Sequence, residues 1–137
     1  MHVDGAAFAP AVLRATGGRG ADVVLDLVGG PYLAESLACA APRARIMLVG
    51  LLAGPRAELD LGRLLHKRVR VTGTVLRARP LEEKIAAVQQ LARHVMPLVA
   101  RGTLRPVVDR VFPLAEAGAA HTHVASNAGF GKVVLTV

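Results

Sequence analysis

An α/β fold built on a parallel sheet is what three features of the chain predict. Short apolar runs without alternation, residues 22–28 and 45–49, end in glycine, as strands covered on both faces do. Segments of helical period separate and follow them, the clearest at residues 81–96, where Ile85, Val88, Leu91, Ala92, Val95 and Met96 share one stripe. The chain has 137 residues, 53% hydrophobic and 3% aromatic, so one domain with a core of Ala, Val and Leu is expected. Strands alternating with helices imply parallel pairing.

Taken in order, residues 4–16 start with a cap-capable Asp4, place Phe8, Val12 and Leu13 at helical spacing, and stop at Gly17 and Gly18. The strand at residues 22–28 follows. Gly29, Gly30 and Pro31 then turn the chain into a helix from Tyr32 to about Ala40, with Pro31 allowed in its first turn. Residues 45–49 form a second strand closed by Gly50. A Gly/Pro-rich loop leads to a short helix at 61–66, and a third strand, interrupted by Gly73, opens at Val69 and closes at Leu76. After the helix at 81–96 the tail reads as a strand (106–112), a helix (113–125) and a last strand (132–137).

Composition removes several function classes. Without tryptophan and with so few aromatic residues, the chain has no stacking platform for single-stranded nucleic acid or RNA. One cysteine, Cys39, excludes an internal disulfide framework and a cysteine-cluster zinc site, and fits a reducing, cytoplasmic setting. Seventeen Lys and Arg against ten Asp and Glu give +7. The basic residues are scattered, densest at Arg63, His66, Lys67, Arg68, Arg70, Arg77 and Arg79. They suit a solvated face better than a nucleic-acid patch, so no nucleic-acid partner is expected. No apolar run reaches the length of a membrane span, and the N-terminus, with Asp4 and no basic stretch, is unlike a secretion signal.

The strand ends at Val28–Gly29 and Val49–Gly50 are candidate ligand positions, because open α/β sheets bind ligands beyond the carboxyl ends of their strands and glycine allows close approach. Tight turns would account for the same glycines. Neither end completes G-x-G-x-x-G, and residues 17–20 precede a strand, so a phosphate cradle is absent from the sequence. Asp26, inside an apolar strand, is a catalytic candidate only if it has a partner at a diagnostic spacing. It has none, and a hydrogen bond to a neighbouring loop is the expected role. His121 and His123 stand two apart on a helix and face different directions, which disfavours a shared metal. Cys39 and His94 are isolated, and Ser36 and Ser126 lack a nucleophile-elbow context.

Five ordered segments, residues 16–30, 45–51, 65–68, 107–121 and 131–135, resemble the C-terminal portion of the medium-chain dehydrogenase/reductase superfamily, closest to its zinc-independent NAD(P)H:quinone oxidoreductase branch. The resemblance covers the chain from about Ala6 onward. It implies the second half of a Rossmann-type parallel sheet with helices, plus a C-terminal strand–helix–strand tail. Residues 1–101 would then be a partial nucleotide-binding domain, and residues 102–137 the tail that returns to the catalytic domain in full-length relatives. The barrel domain, the glycine fingerprint and the first Rossmann strands would be missing.

By the same resemblance, Val28 and Gly29 line the cofactor groove, and Gly50, Leu51 and Leu52 stand beside the nicotinamide ribose. Thr74, Val75 and Leu76 lie near the carboxamide, and Gly131 and Lys132 near the cofactor or substrate cleft. Gly129 stands where relatives often carry a polar residue. No catalytic residue and no metal ligand carries over. The implied activity is hydride transfer from NADPH to a small quinone or enone, with the chain alone inactive and binding NADPH weakly or not at all. The implied assembly is a homodimer through the edge strand from Val69 to Leu76. A non-catalytic α/β dimerisation module is the alternative. The strand at 22–28 would lack its neighbour, leaving the tail strands to pair with each other or with another molecule.

Overall fold

The structure is a computed structural model describing residues 7–137. The chain divides into two compact units, Met1–Arg79 and Pro80–Val137. The Asp4 cap lies outside the described residues.

The first unit runs α1 (Ala9–Ala15), β1 (Ala21–Asp26), α2 (Pro31–Ala38), β2 (Ala40–Leu48), α3 (Leu61–Lys67) and β3 (Arg70–Gly73). Its three strands are parallel in the order β1-β2-β3. Pro31 occupies the first turn of α2, where its missing N–H costs nothing. Asp60 caps α3 by accepting the N–H of Arg63 at 2.9 Å. β2 starts earlier than its apolar run. The register jumps from Ala21↔Ala40 to Val23↔Arg45, and Arg43 sits inside that irregularity at φ 63°.

The core gathers on one face of this sheet. Leu33 and Leu37 of α2 pack on Ile46, with Val24, Leu64 and Val69 against them. The expectation of strands covered on both faces is corrected here: Val23 and Leu25 on the opposite face of β1 are exposed. An apolar run without alternation permits a second layer, but the helices α2 and α3 supply one layer only. β3 is also shorter than its apolar run, because after Gly73 the chain leaves the ladder and turns.

The second unit runs α4 (Leu81–Gln90), a π-helical turn (Leu91–Val95), α5 (Met96–Ala100), β4 (Val108–Pro113), a 3-10 turn (Leu114–Glu116), α6 (Ala117–Ala125) and β5 (Lys132–Thr136). The single amphipathic helix expected at 81–96 is thus broken. Pro97 has no N–H to offer the carbonyl four residues back, and its ring crowds that turn, so the ladder widens just before it. The apolar stripe exists, yet Ile85, Val88, Leu91 and Met96 are exposed. The tail strands pair with each other, β4 parallel to β5. Among the described residues no helix is long and apolar enough to cross a membrane.

Candidate functional site

The register of the first sheet makes its strands finish together. Asp26 pairs with Leu48, and Leu48 with Gly73. The residues that follow therefore meet along one carboxyl edge, and Val28, Gly29, Gly50, Leu51, Leu52, Thr74, Val75 and Leu76 all lie there. A pattern scattered over nearly fifty positions of sequence becomes one rim.

Each loop on the rim is held by a local device. Asp26, 5% exposed, accepts the N–H of Val28 at 2.8 Å and of Gly29 at 2.9 Å through Oδ1. This is the loop-holding role expected of it. Its main-chain carbonyl accepts from Val49 at 2.7 Å and Gly50 at 3.3 Å, and Val28 accepts from Ala53 at 2.8 Å, so the first two loops are laced together. The third loop starts with Thr74 donating its N–H to Leu48 at 2.9 Å. Arg79 then folds back, donating from Nε to the Val75 carbonyl at 2.8 Å and from Nη2 to the Thr74 hydroxyl at 2.9 Å.

The glycines of the rim are explained by this lacing. A Cβ on Gly29, at φ 66°, would come within 2.8 Å of the Leu51 side chain and 3.1 Å of the Gly50 carbonyl. On Gly30 it would meet the Ala53 carbonyl at 2.6 Å, and on Gly50 the Leu27 carbonyl. Loop approaches loop at these points. What the rim presents outward is apolar: Leu27, Leu51, Val75 and Leu76 are exposed, and Leu52 is 87% exposed.

Gly131 and Lys132 belong to the second unit. Gly131, at φ 130°, has no room for a Cβ, which would sit 2.6 Å from the Val107 carbonyl, and Lys132 opens β5 by donating its N–H to that carbonyl at 2.8 Å. Beside them lies a feature the spacing of residues did not reveal. Asp109 of β4 and His123 of α6 are joined at 2.6 Å between Oδ2 and Nε2. The hydrogen bond from His123 holds the Asp109 carboxyl below the usual carboxylate range, with help from the Phe130 backbone and against partial desolvation. A Cβ on Gly129 would collide with Asp109 and come within 3.0 Å of His123 Nε2, so the pair fits only beneath a glycine. A cavity of about 210 Å³ lies here, lined by Asp109, His123, Asn127, Gly129 and Gly131 among others. A carboxylate on one imidazole nitrogen fixes the ring's tautomer and orientation.

The remaining candidates take structural places. His121 lines a separate cleft with Ala120, Val133 and Leu135. Among the described residues no three His, Cys, Asp or Glu side chains are placed to hold a metal ion. Cys39 is buried, and burial pushes its thiol up, away from nucleophilic use. Ser36 is buried, His94 sits in the π-helical turn, and Ser126 donates to the His123 carbonyl at 2.7 Å. The basic stretch is divided among local tasks. Lys67 donates to the Ala40 carbonyl at 2.6 Å, Arg63 stands 3.6 Å from Asp60, and Arg79 closes its own loop.

Comparison with known proteins points in one direction. A family model described as zinc-binding dehydrogenase matches residues 2–135. A quinone oxidoreductase of Pseudomonas aeruginosa is 34% identical over 128 residues, covering 90% of this chain and 38% of that protein. A 2-haloacrylate reductase of Burkholderia is 32% identical over 136 residues, 93% of this chain and 38% of the relative. A mycobacterial protein solved in complex with NADPH superposes with a TM-score of 0.72 at 28% identity, covering 99% of this chain and 42% of its own. The chain thus spans about two fifths of the length of these proteins.

Proposed function

Because the chain belongs to the zinc-binding dehydrogenase family, we propose that it carries the second half of the nucleotide-binding domain of an NADPH-dependent reductase of quinones or enones. The observation behind this is the row Asp26, Leu48, Gly73, which brings every groove candidate of the first unit to one carboxyl edge, where open α/β sheets bind ligands. The relatives named quinone oxidoreductase and 2-haloacrylate reductase support the substrate class, and the NADPH complex supports the cofactor.

The rim fits one end of that cofactor better than the other. Exposed Leu51, Leu52, Val75 and Leu76 offer an apolar wall to a nicotinamide ring and exclude water, while Val28, Gly29 and Gly50 offer backbone. Asp26 and Arg79 keep those loops in place. No strand end of the first unit completes the G-x-G-x-x-G cradle for the pyrophosphate, so this chain alone binds NADPH weakly and is inactive. When bound, NADPH supplies the hydride. Gly131 and Lys132, in the tail at residues 102–137, belong near the cofactor or substrate cleft, and residues 1–101 to the partial nucleotide domain. A homodimer through the segment from Val69 to Leu76, of which β3 supplies Arg70–Gly73 as the strand edge, and a cytoplasmic location complete the proposal.

Titrating the chain with NADPH while following backbone amide resonances tests it. Shifts that need near-millimolar NADPH and centre on Val28–Gly29, Gly50–Leu52 and Thr74–Leu76 are expected. Low-micromolar binding would overturn the half-domain assignment, and shifts elsewhere the site. The second reading, a non-catalytic dimerisation module, is favoured by the glycine positions being filled by the chain's own loops. It requires dimers in sedimentation and no NADPH-induced shift on the rim.

A further inference from the structure

Arginines far apart in sequence are brought together by the register of the first sheet. Arg45 of β2 and Arg70 of β3 are partners in adjacent parallel strands, and Val23 of β1 completes their row. Register partners share a face, and Val24 and Ile46 of the next row lie against the core, so this row is on the opposite face, where Val23 and Leu25 are exposed. Neighbouring strands stand about 4.8 Å apart, so two like charges leave the sheet side by side and repel. Two positions before each comes another arginine, Arg43 and Arg68. Both are exposed and both sit at positive φ, 63° and 53°, a region that side chains of this size seldom adopt and that recurs at ligand clamps. Lys67, beside Arg68, turns away to the Ala40 carbonyl. Among the described residues none of the four arginines meets a carboxylate, whereas Arg19 and Arg63 each do.

We infer that this block of Arg43, Arg45, Arg68 and Arg70 is an anion site for a small ligand bearing two phosphate groups. Arg45 and Arg70 grip one phosphate, and Arg43 and Arg68, next along the strands, the other. The planar fork of a guanidinium matches two oxygens of a phosphate. A terminal phosphate also carries about two negative charges, so one group set between two arginines balances both, which a single carboxylate does not. The site stands apart from the rim: Arg45 and Arg70 precede Leu48 and Gly73, the last partners of the row from which the rim loops leave. It therefore does not rest on the proposed function.

Inorganic pyrophosphate is the probe, titrated into the full chain at physiological ionic strength and followed by calorimetry and backbone amide shifts. Saturable one-to-one binding is expected, with shifts centred on Arg43–Arg45 and Arg68–Arg70 and none at Val28–Gly29. Arg45→Gln and Arg70→Gln should each weaken it by about tenfold. Without anion both variants should melt at or above the parent, because each relieves repulsion. Arg45→Lys keeps the charge but loses the fork, and should fall between the parent and Arg45→Gln. Arg14→Gln, in α1, removes the same charge elsewhere and should bind as the parent does. No saturable binding, shifts spread over all the basic residues, or glutamine variants that bind as tightly as the parent overturn the inference. So does a loss in Arg14→Gln equal to that in Arg45→Gln, which would reduce the effect to net charge. Phosphatidylglycerol vesicles form the second arm: capture by them without pyrophosphate binding would make the block a lipid-facing surface and overturn the inference as well.

Discussion

The molecule contains two versions of one motif, a parallel strand pair joined through a helix, and they are held in different ways. In β1-α2-β2 the helix drops Leu33 and Leu37 onto Ile46, and the strand's aspartate, Asp26, spends one oxygen on the loop and leaves the other unpartnered. In β4-α6-β5 the only buried hydrophobic residue among those described is Ala120, and the strand's aspartate, Asp109, is tied to the helix through His123. An aliphatic filling holds the first unit and a polar clasp the second. A helix as poor in large side chains as α6 buries little against its strand pair, and the hydrogen bond from His123 to Asp109 adds a polar tie between helix and strand.

The sharpest way to break the contrast is to empty the filling. Leu37 is 2% exposed, and Leu37→Ala should cost the first unit roughly 2–5 kcal/mol, read from chemical denaturation. A loss below 1 kcal/mol would mean that the core cluster does not hold the unit.

Glycines sharpen the comparison from both sides. Gly50→Ala drives a Cβ into the Leu27 carbonyl, a backbone atom that no side-chain rotation can move aside, so a loss of about 1–3 kcal/mol is expected in thermal melts. In α6, by contrast, a Cβ on Gly118 meets nothing within 4 Å. Gly118→Ala should stabilise the second unit by about 0.5–1 kcal/mol, because alanine loses less backbone freedom on entering a helix. If Gly118→Ala destabilises, α6 is packed more tightly than its surroundings indicate.

How much of this was legible in the sequence follows the same division. Apolar runs ended by glycine marked β1 and β2, Pro31 marked the start of α2, and the isolation of Asp26 in an apolar strand pointed to a loop-holding role. These are local signals, and local geometry decides them. The one-sided covering of β1 was not legible, since a run of Val and Leu is compatible with one layer or two. The π-helical turn had its signal in Pro97, four residues past Arg93, which the strength of the apolar stripe obscured. The Asp109–His123 clasp had no signal at all: fourteen positions separate the two, and only the pairing of β4 with β5 beneath α6 joins them. The rim was legible as separate strand ends, but the shared row Asp26, Leu48, Gly73 is a property of register, and register is set by pairing partners.

The smallest effect expected is the pH response of the clasp. His123 lowers the Asp109 carboxyl in the folded chain, while the unfolded chain has the ordinary aspartate value near 3.9. A group whose folded value lies below its unfolded one binds protons more readily when unfolded, so its contribution is complete above the unfolded value and is lost as pH falls through the folded one. The second unit should therefore lose stability on acidification below about pH 4, and Asp109→Asn should remove that part of the slope. The carboxylate is close to solvent, so salt should shrink the effect further. Carbon-detected titration of the Asp109 side chain reads it directly: a midpoint clearly below the ordinary value is expected in the parent chain, rising toward it in His123→Ala once the hydrogen bond is gone. A midpoint at or above the ordinary value in the parent chain would mean that His123 does not hold Asp109 in solution, and the second unit would then need another account of what keeps α6 on its strands.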